Sequence, residues 1–136
     1  MIFEYQTGKV GCVSAGMDRS EVRRLLGKFE EFRKSPDSIN TTDDFADAAA
    51  HVYYDNHDHV VGVEVHRESG LFYRGLSVME KTPEQIESSL STLSVECDRS
   101  DSSMISIEGG KVGMYLMEDN GGVDVVVSVY VDLSET

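Results

Sequence analysis

Two stretches of the chain carry apolar side chains at the spacing of one helix face, and each follows a helix start signal. In the first, Asp18 is a candidate N-cap with a glutamate three residues later, a variant of the capping box. In the second, Thr82 precedes a proline, and a glutamine stands three residues after it. The residues that recur at helical spacing are Val22, Leu25, Leu26 and Phe29, then Ile86, Leu90 and Leu93. The pattern predicts helices over 18–29 and 82–93, with Gly27 ending the first or loosening its last turn.

Other segments alternate between apolar and polar residues with the period of a β-strand. The clearest alternation is in residues 60–66, where valines at every second position alternate with glycine, glutamate and histidine. Single strands are predicted at residues 9–14, 71–76 and 104–107, and hairpins at 51–66 and 111–132, with turns at 55–58 and 118–122. Residues 34–44 and 98–103 are rich in polar side chains, which predicts loops.

The predicted elements follow the same order in both halves of the chain. Placing Thr82 on Asp18, an offset of 64 residues, also brings the two apolar helix stripes into register. Residues 9–66 and 71–133 therefore read as two β-α-β-β units, either from a tandem duplication or by chance. Neither unit can close a core alone, so we expect one α+β domain over 1–136. Its expected form is an antiparallel sheet with both helices on one face and the other face open to water or a partner.

The composition is that of an ordinary folded domain, with 136 residues, 40% of them hydrophobic and 27% charged. There is no apolar run of about 18 residues that could cross a bilayer, and the first residues lack the pattern of a signal peptide, so a cytoplasmic location is expected. The spacing of Cys12 and Cys97 does not fit a zinc site. Both are expected to be buried free thiols, with a disulfide between them as the alternative.

The net charge of −13 disfavours nucleic acid as a partner. Basic residues are concentrated only in 19–34, and glutamates are interspersed among them, which predicts a solvated helix face. An acidic protein suits a basic protein partner because opposite fields accelerate encounter. Simple solubility is the other explanation of the charge.

No arrangement of side chains in the sequence predicts a catalytic site or a cofactor. There is no nucleophile elbow, and the glycines lack the spacing of a phosphate-binding loop. The region from His51 to His66 contains four histidines, and His57 and His59 are spaced to face the same way on an extended chain. Because these two lie in a predicted turn, structural turn residues are the favoured interpretation, and a metal-binding protein or small enzyme using this region is an alternative.

Residues 16–27 match the pattern G-M-x-x-x-E-V-x-x-L-L-G. This segment is similar to helix-plus-hairpin domains of outer-membrane assembly lipoproteins and to small cytosolic proteins encoded beside polymorphic toxins. The acidic composition without a catalytic motif also resembles the immunity proteins of contact-dependent growth inhibition and related toxin systems. The resemblance implies a protein that binds and neutralises a toxin domain, commonly a nuclease.

If the chain is an immunity protein, acidic residues on loops should contact the basic toxin domain, because loops display charge without disturbing a packed sheet. The partner-binding residues predicted on this basis are Asp37, Asp43, Asp44, Asp47, Asp55, Asp58, Glu118 and Asp119. Predicted strands also carry many tyrosines, which suit interfaces because they offer rigid area with a polar end. An assembly module that oligomerises through an open sheet face is a further alternative, and the oligomeric state stays open.

Overall fold

The computed structural model describes residues 1–134 and contains two β-sheets and two α-helices. In chain order the elements are β1 (Ile2–Gln6), β2 (Lys9–Val10), β3 (Val13–Ser14), α1 (Arg19–Leu26), β4 (Glu30–Phe32), β5 (Thr42–Phe45), β6 (Ala50–Tyr54), β7 (Val60–His66), β8 (Gly70–Tyr73), β9 (Leu76–Ser77), α2 (Pro83–Thr92), β10 (Met104–Ile107), β11 (Val112–Glu118) and β12 (Asp124–Asp132). The predicted α+β class is confirmed. None of the described helices is long and apolar enough to cross a membrane.

The two helices lie where the apolar pattern predicted them, and their ends differ in detail. Thr82 completes a capping box on α2, and its hydroxyl accepts a hydrogen bond from the backbone N–H of Gln85 at 3.2 Å. Gly27 ends α1 in a left-handed conformation, with φ of 84°. Asp18 makes no side-chain cap, and its carboxylate lies 3.0 Å from Nε2 of His59. Phe29 lies beyond the helix, so the prediction that it belongs to the helix face is wrong.

The large sheet has seven strands in the order β10-β11-β12-β7-β6-β5-β4, and every neighbouring pair is antiparallel. It contains both predicted hairpins, β6–β7 and β11–β12. Their last strands pair at the centre of the sheet, where Val63 lies opposite Val131. The predicted loop at 34–44 is wrong at its end, because residues from Thr42 onward form strand β5 and pair with β6.

A second, five-stranded sheet in the order β3-β2-β1-β8-β9 was not predicted. Its central strands β1 and β8 are parallel, with Phe3 beside Leu71, so the expectation of a single antiparallel sheet is wrong. Strand β1 was not predicted because apolar and polar residues do not alternate clearly in the first residues of the chain. Strand β1 nevertheless buries Phe3, which is only 1% exposed.

One hydrophobic core lies between the large sheet, the small sheet and the helices. The large sheet contributes valines such as Val63 and Val129, the small sheet contributes Leu71, and the helices contribute Val22 and Ile86, all without measurable exposure. Both helices therefore pack on one face of the large sheet, as predicted. Within residues 1–134, no other strand or helix covers the opposite face of this sheet, and the 33–41 loop lies at its margin.

The two halves of the chain share an order of elements, although this order is not the predicted β-α-β-β. Each half has a hairpin of short strands, then a helix, then a three-stranded meander, and the first half adds β3 and β4. The equivalent hairpins contribute the paired strands β1 and β8, and the equivalent meanders contribute β7 and β12. This arrangement is consistent with a tandem duplication, which remains a hypothesis.

The two cysteines are free, as predicted. Cys97 is partly buried, whereas Cys12 is exposed, so the expectation of two buried thiols is wrong for Cys12.

Candidate functional site

The open face of the large sheet carries a band of aromatic and histidine side chains. Successive side chains of a strand point to opposite faces, so the residues that alternate with the buried valines along each strand project away from the core. Across the central strands the register places Tyr53 beside Gly62, and Tyr130 opposite Glu64. The face thus exposes, wholly or in part, Phe32, His51, Tyr53, Glu64, His66, Met104, Tyr115 and Tyr130. We refer to these residues as the open aromatic face.

Contacts within the open aromatic face hold its tyrosines in place. The rings of Tyr53 and Tyr130 meet edge to face, with 5.7 Å between centroids. The Tyr53 hydroxyl donates to Glu64 Oε1 at 3.2 Å and accepts from Lys34 Nζ at 2.9 Å. Burial raises the pKa of Tyr130 to about 12 and also raises the pKa of Tyr53, so both phenols stay neutral near pH 7. The neutral Tyr130 phenol can donate a hydrogen bond to a partner, whereas the single proton of the Tyr53 phenol is directed to Glu64.

A groove of about 460 Å³ lies between the tyrosines and the 33–41 loop. Its lining combines the rings of Tyr53, Tyr115 and Tyr130 with loop residues that include Ile39. Ile39 is 79% exposed, so its apolar side chain is accessible to a partner at the edge of the groove. An apolar floor with a few polar groups at its margin can accept a side chain or a short extended segment of another protein.

Tyr130 lies directly over Gly62, and only glycine leaves room for it. A Cβ atom at Gly62 would lie 2.1 Å from the Tyr130 hydroxyl oxygen and 2.6 Å from Cζ, so the ring would have to move. We expect Gly62→Ala to destabilise the fold by about 1–3 kcal/mol. In a Tyr130→Ala background the same change should cost much less, and a double-mutant cycle in denaturant measures the difference.

Gly113 provides the matched control because it pairs directly with Tyr130 on the neighbouring strand. A Cβ there would approach other atoms no closer than 3.7 Å, so Gly113→Ala should be nearly neutral. Equal costs for the two alanine substitutions would contradict the steric explanation.

His51, Glu64 and His66 form a compact group at one side of the open aromatic face. One nitrogen or oxygen from each of them lies within 4.8 Å of the others. His51 Nδ1 lies 3.7 Å from Glu64 Oε1, and its Nε2 lies 3.4 Å from Asp44 Oδ1. The rings of His51 and His66 pack edge to face at 4.5 Å. The pKa of His51 is lowered, mainly by burial and to a smaller extent by electrostatic repulsion from His66. The lower pKa favours the neutral ring at pH 7.

The two histidines of the hairpin tip do not join this group. The His59 ring pairs with Asp18, and the centroid of the His57 ring lies 6.5 Å from that of the His59 ring. The sequence pointed to His57 and His59 because they are close along the chain. It missed the pairing of His51 with Glu64 because that depends on the register of β6 against β7.

Asp43 is the one predicted partner-binding residue that the structure removes from the surface. It lies in β5 on the core side and its side chain is fully buried. The carboxylate accepts hydrogen bonds from Arg23 at 2.8 and 2.9 Å, from Arg19 at 2.8 Å, and from Tyr54 at 2.9 Å. Burial opposes its ionisation, but these hydrogen bonds outweigh burial and hold the pKa of Asp43 below its ordinary value.

The same network corrects the expectation of a solvated basic helix face. Arg19 is only 7% exposed, and its guanidinium also contacts Asn40 at 3.2 Å and Asp58 at 3.1 Å. Asn40 in turn donates to the Asp55 carbonyl at 2.8 Å. The network therefore connects α1, the 33–41 loop and the tip of the β6–β7 hairpin, and so it positions one wall of the groove.

The other predicted acidic residues remain at least partly accessible, but they do not form one surface. Asp37, Asp47, Asp58, Glu118 and Asp119 are exposed, and Asp44 and Asp55 are partly buried. The carboxylates of Asp55 and Asp119 accept backbone hydrogen bonds within their own turns. The two hairpin tips lie at opposite ends of β7, a strand that spans about 20 Å. A single partner must therefore extend along the sheet to contact both tips.

Comparison with known proteins adds no family assignment, because no protein-family model, no curated protein and no solved structure matches this chain.

Proposed function

We propose that this chain is a non-catalytic binding protein, and specifically a cytoplasmic immunity protein that neutralises a cognate basic toxin domain, commonly a nuclease. The open aromatic face is the observation that carries this proposal. It presents rigid tyrosines and an exposed groove on a surface that none of the described strands or helices covers. Aromatic residues of this kind concentrate binding energy in protein interfaces.

The charge of the chain supports a basic partner. Its formal net charge is −13, and Asp44, Glu64 and Asp132 lie on the same side of the large sheet as the tyrosines. A cationic toxin surface would be attracted to this field and would dock more rapidly at low salt. Two copies of this chain would repel each other, so the charge favours a foreign partner over self-assembly.

The motif at residues 16–27 gives the proposal its particular form, since it resembles small proteins encoded beside polymorphic toxins. The gene immediately upstream offers the direct test. We expect it to encode a large secreted protein with a variable C-terminal domain, and co-expression of this chain should restore growth to cells that produce that domain. A chain that neither binds the domain nor protects the cells would refute the immunity role.

The open aromatic face makes a prediction for affinity. Tyr115 is 40% exposed and lines the groove, so Tyr115→Ala should leave the fold intact. If the tyrosines bind the toxin, the substitution should weaken the complex by about 2 kcal/mol, roughly 30-fold in Kd. Titration calorimetry with the purified toxin domain measures the change. Leu25→Ala is the control, because Leu25 lies on α1, which packs on the other face, and is similarly exposed.

The same binding experiment can test the acidic loops. Changing Asp37 and Asp47 together to asparagine tests exposed carboxylates, and changing Glu118 to glutamine tests the far hairpin tip. If these residues lie at the rim of the interface, their loss should mainly slow association and reduce its dependence on salt. A large effect of the loop variants with none from Tyr115→Ala would place the contact surface on the loops instead.

A further inference from the structure

His51, Glu64 and His66 bring three metal-ligating side chains together on two neighbouring strands. His51 in β6 pairs directly with Glu64 in β7, and His66 follows Glu64 by two residues on the same face. One potential ligand atom of each lies within 4.8 Å of the others. Ligands around a tetrahedral zinc ion lie about 3.4 Å apart, which follows from zinc–ligand bonds of about 2.1 Å. Small side-chain rotations would therefore close this set around one ion.

The surroundings of the three residues have the form of an outer shell around a metal site. The Asp44 carboxylate lies 3.4 Å from His51 Nε2, which leaves Nδ1 directed towards Glu64. The Tyr53 hydroxyl donates to Glu64 Oε1 at 3.2 Å. A carboxylate that holds the second nitrogen of a ligating histidine, and a donor that orients a ligating carboxylate, are typical of protein metal sites.

His66 supplies an independent observation. Its Nε2 atom is buried and has no hydrogen-bond partner among the described residues. A buried ring nitrogen without a partner carries a desolvation cost, so such atoms normally bind something. Coordination of a metal ion by this nitrogen would remove that cost.

We propose that His51, Glu64 and His66 form a binding site for one divalent transition metal ion of the Zn²⁺ type, with Asp44 and Tyr53 as its outer shell. Two imidazoles and a carboxylate suit zinc and its neighbours better than calcium or magnesium. Three protein ligands leave one tetrahedral position for water or for a group from another molecule. The sequence favoured no metal because His57 and His59 lie in a turn, and it left metal binding by the His51–His66 region as an alternative; the site proposed here takes three residues of that region.

The test is zinc binding to the full-length chain without an affinity tag. After treatment with a chelator and buffer exchange, titration calorimetry with zinc chloride should show one ion per chain. Asp44→Asn should weaken binding roughly 10–100-fold, as loss of an outer-shell partner does. His51→Gln and His66→Gln should weaken it further. Cobalt(II) titrated in place of zinc should give visible absorption bands of a tetrahedral site, and both histidine variants should lose them.

Matched controls separate this site from other zinc-binding groups. The double variant His57→Gln, His59→Gln and the single variant Cys12→Ser should leave the affinity unchanged. The partly exposed Asp44 keeps the test decisive if a histidine variant fails to fold. Absent or substoichiometric binding would overturn the proposal, as would binding that depends on His57, His59 or Cys12. Such a result would leave the protein-binding proposal untouched, because the tyrosine groove does not require a metal.

Discussion

Replacing Asp43 with asparagine is expected to destabilise the fold by about 3–5 kcal/mol. The carboxylate is fully buried and receives hydrogen bonds from two guanidinium groups, so its loss leaves Arg19 and Arg23 without their shared counter-charge. Arg19 is itself only 7% exposed, so water cannot readily replace the lost carboxylate. Chemical denaturation followed by circular dichroism at pH 7 measures the change.

The cost of this substitution should also depend on pH. The folded-state pKa of Asp43 is lowered, so its stabilising contribution is complete above its ordinary value of 3.8 and is lost as the pH falls through the folded value. The asparagine variant has no such group to titrate. The stability difference between the two proteins should therefore be constant between pH 5 and 7, on the order of the cost above, and should shrink in stronger acid.

Glu31 provides the control for Asp43. It also pairs with Arg23, at 3.1 Å, but its side chain is 50% exposed. Water compensates exposed charges, so Glu31→Gln should cost less than about 1 kcal/mol. Similar costs for the two substitutions would show that Arg19 and Arg23 do not depend on a buried counter-charge. The comparison also bears on the proposed immunity function, because an unfolded Asp43 variant would lose cell protection without any change in recognition.

The second large effect is expected at the start of the chain. Phe3 is 1% exposed in β1, the central strand of the small sheet, and Phe3→Ala should cost about 3–5 kcal/mol. The ring packs so closely against Gly11 that a Cβ there would lie 2.7 Å from Phe3 Cδ1. The large cost is expected because truncation leaves a cavity between two sheets that cannot readily collapse. Thermal or chemical unfolding measures the loss.

Ile2 is the neighbouring control, since it is 69% exposed on the same strand. Ile2→Ala should change the stability by less than about 0.5 kcal/mol. A small effect of Phe3→Ala would mean that β1 is only loosely attached and that the core is closed by the helices alone.

How much of the candidate site the sequence predicted depends on how far apart its residues lie along the chain. Tyrosines on predicted strands and an open sheet face followed from alternation within single segments. The pairing of His51 with Glu64 could not be predicted in this way, and neither could the position of Tyr130 over Gly62. Both depend on the register between neighbouring strands. Asp43 was assigned to a polar loop because a carboxylate between polar residues gives no sign of the arginines that bury it.

The sequence by itself determined both helices and both large hairpins, because caps, turns and apolar periodicity act over a few residues. It also determined that one face of the large sheet is apolar. Only the tertiary structure decided that β1 and β8 pair in parallel across more than sixty residues, since neither strand is specified until the other is present. The same holds for the Asp43 network and the histidine group, whose members gain their electrostatic and packing energy only when distant segments are brought into contact.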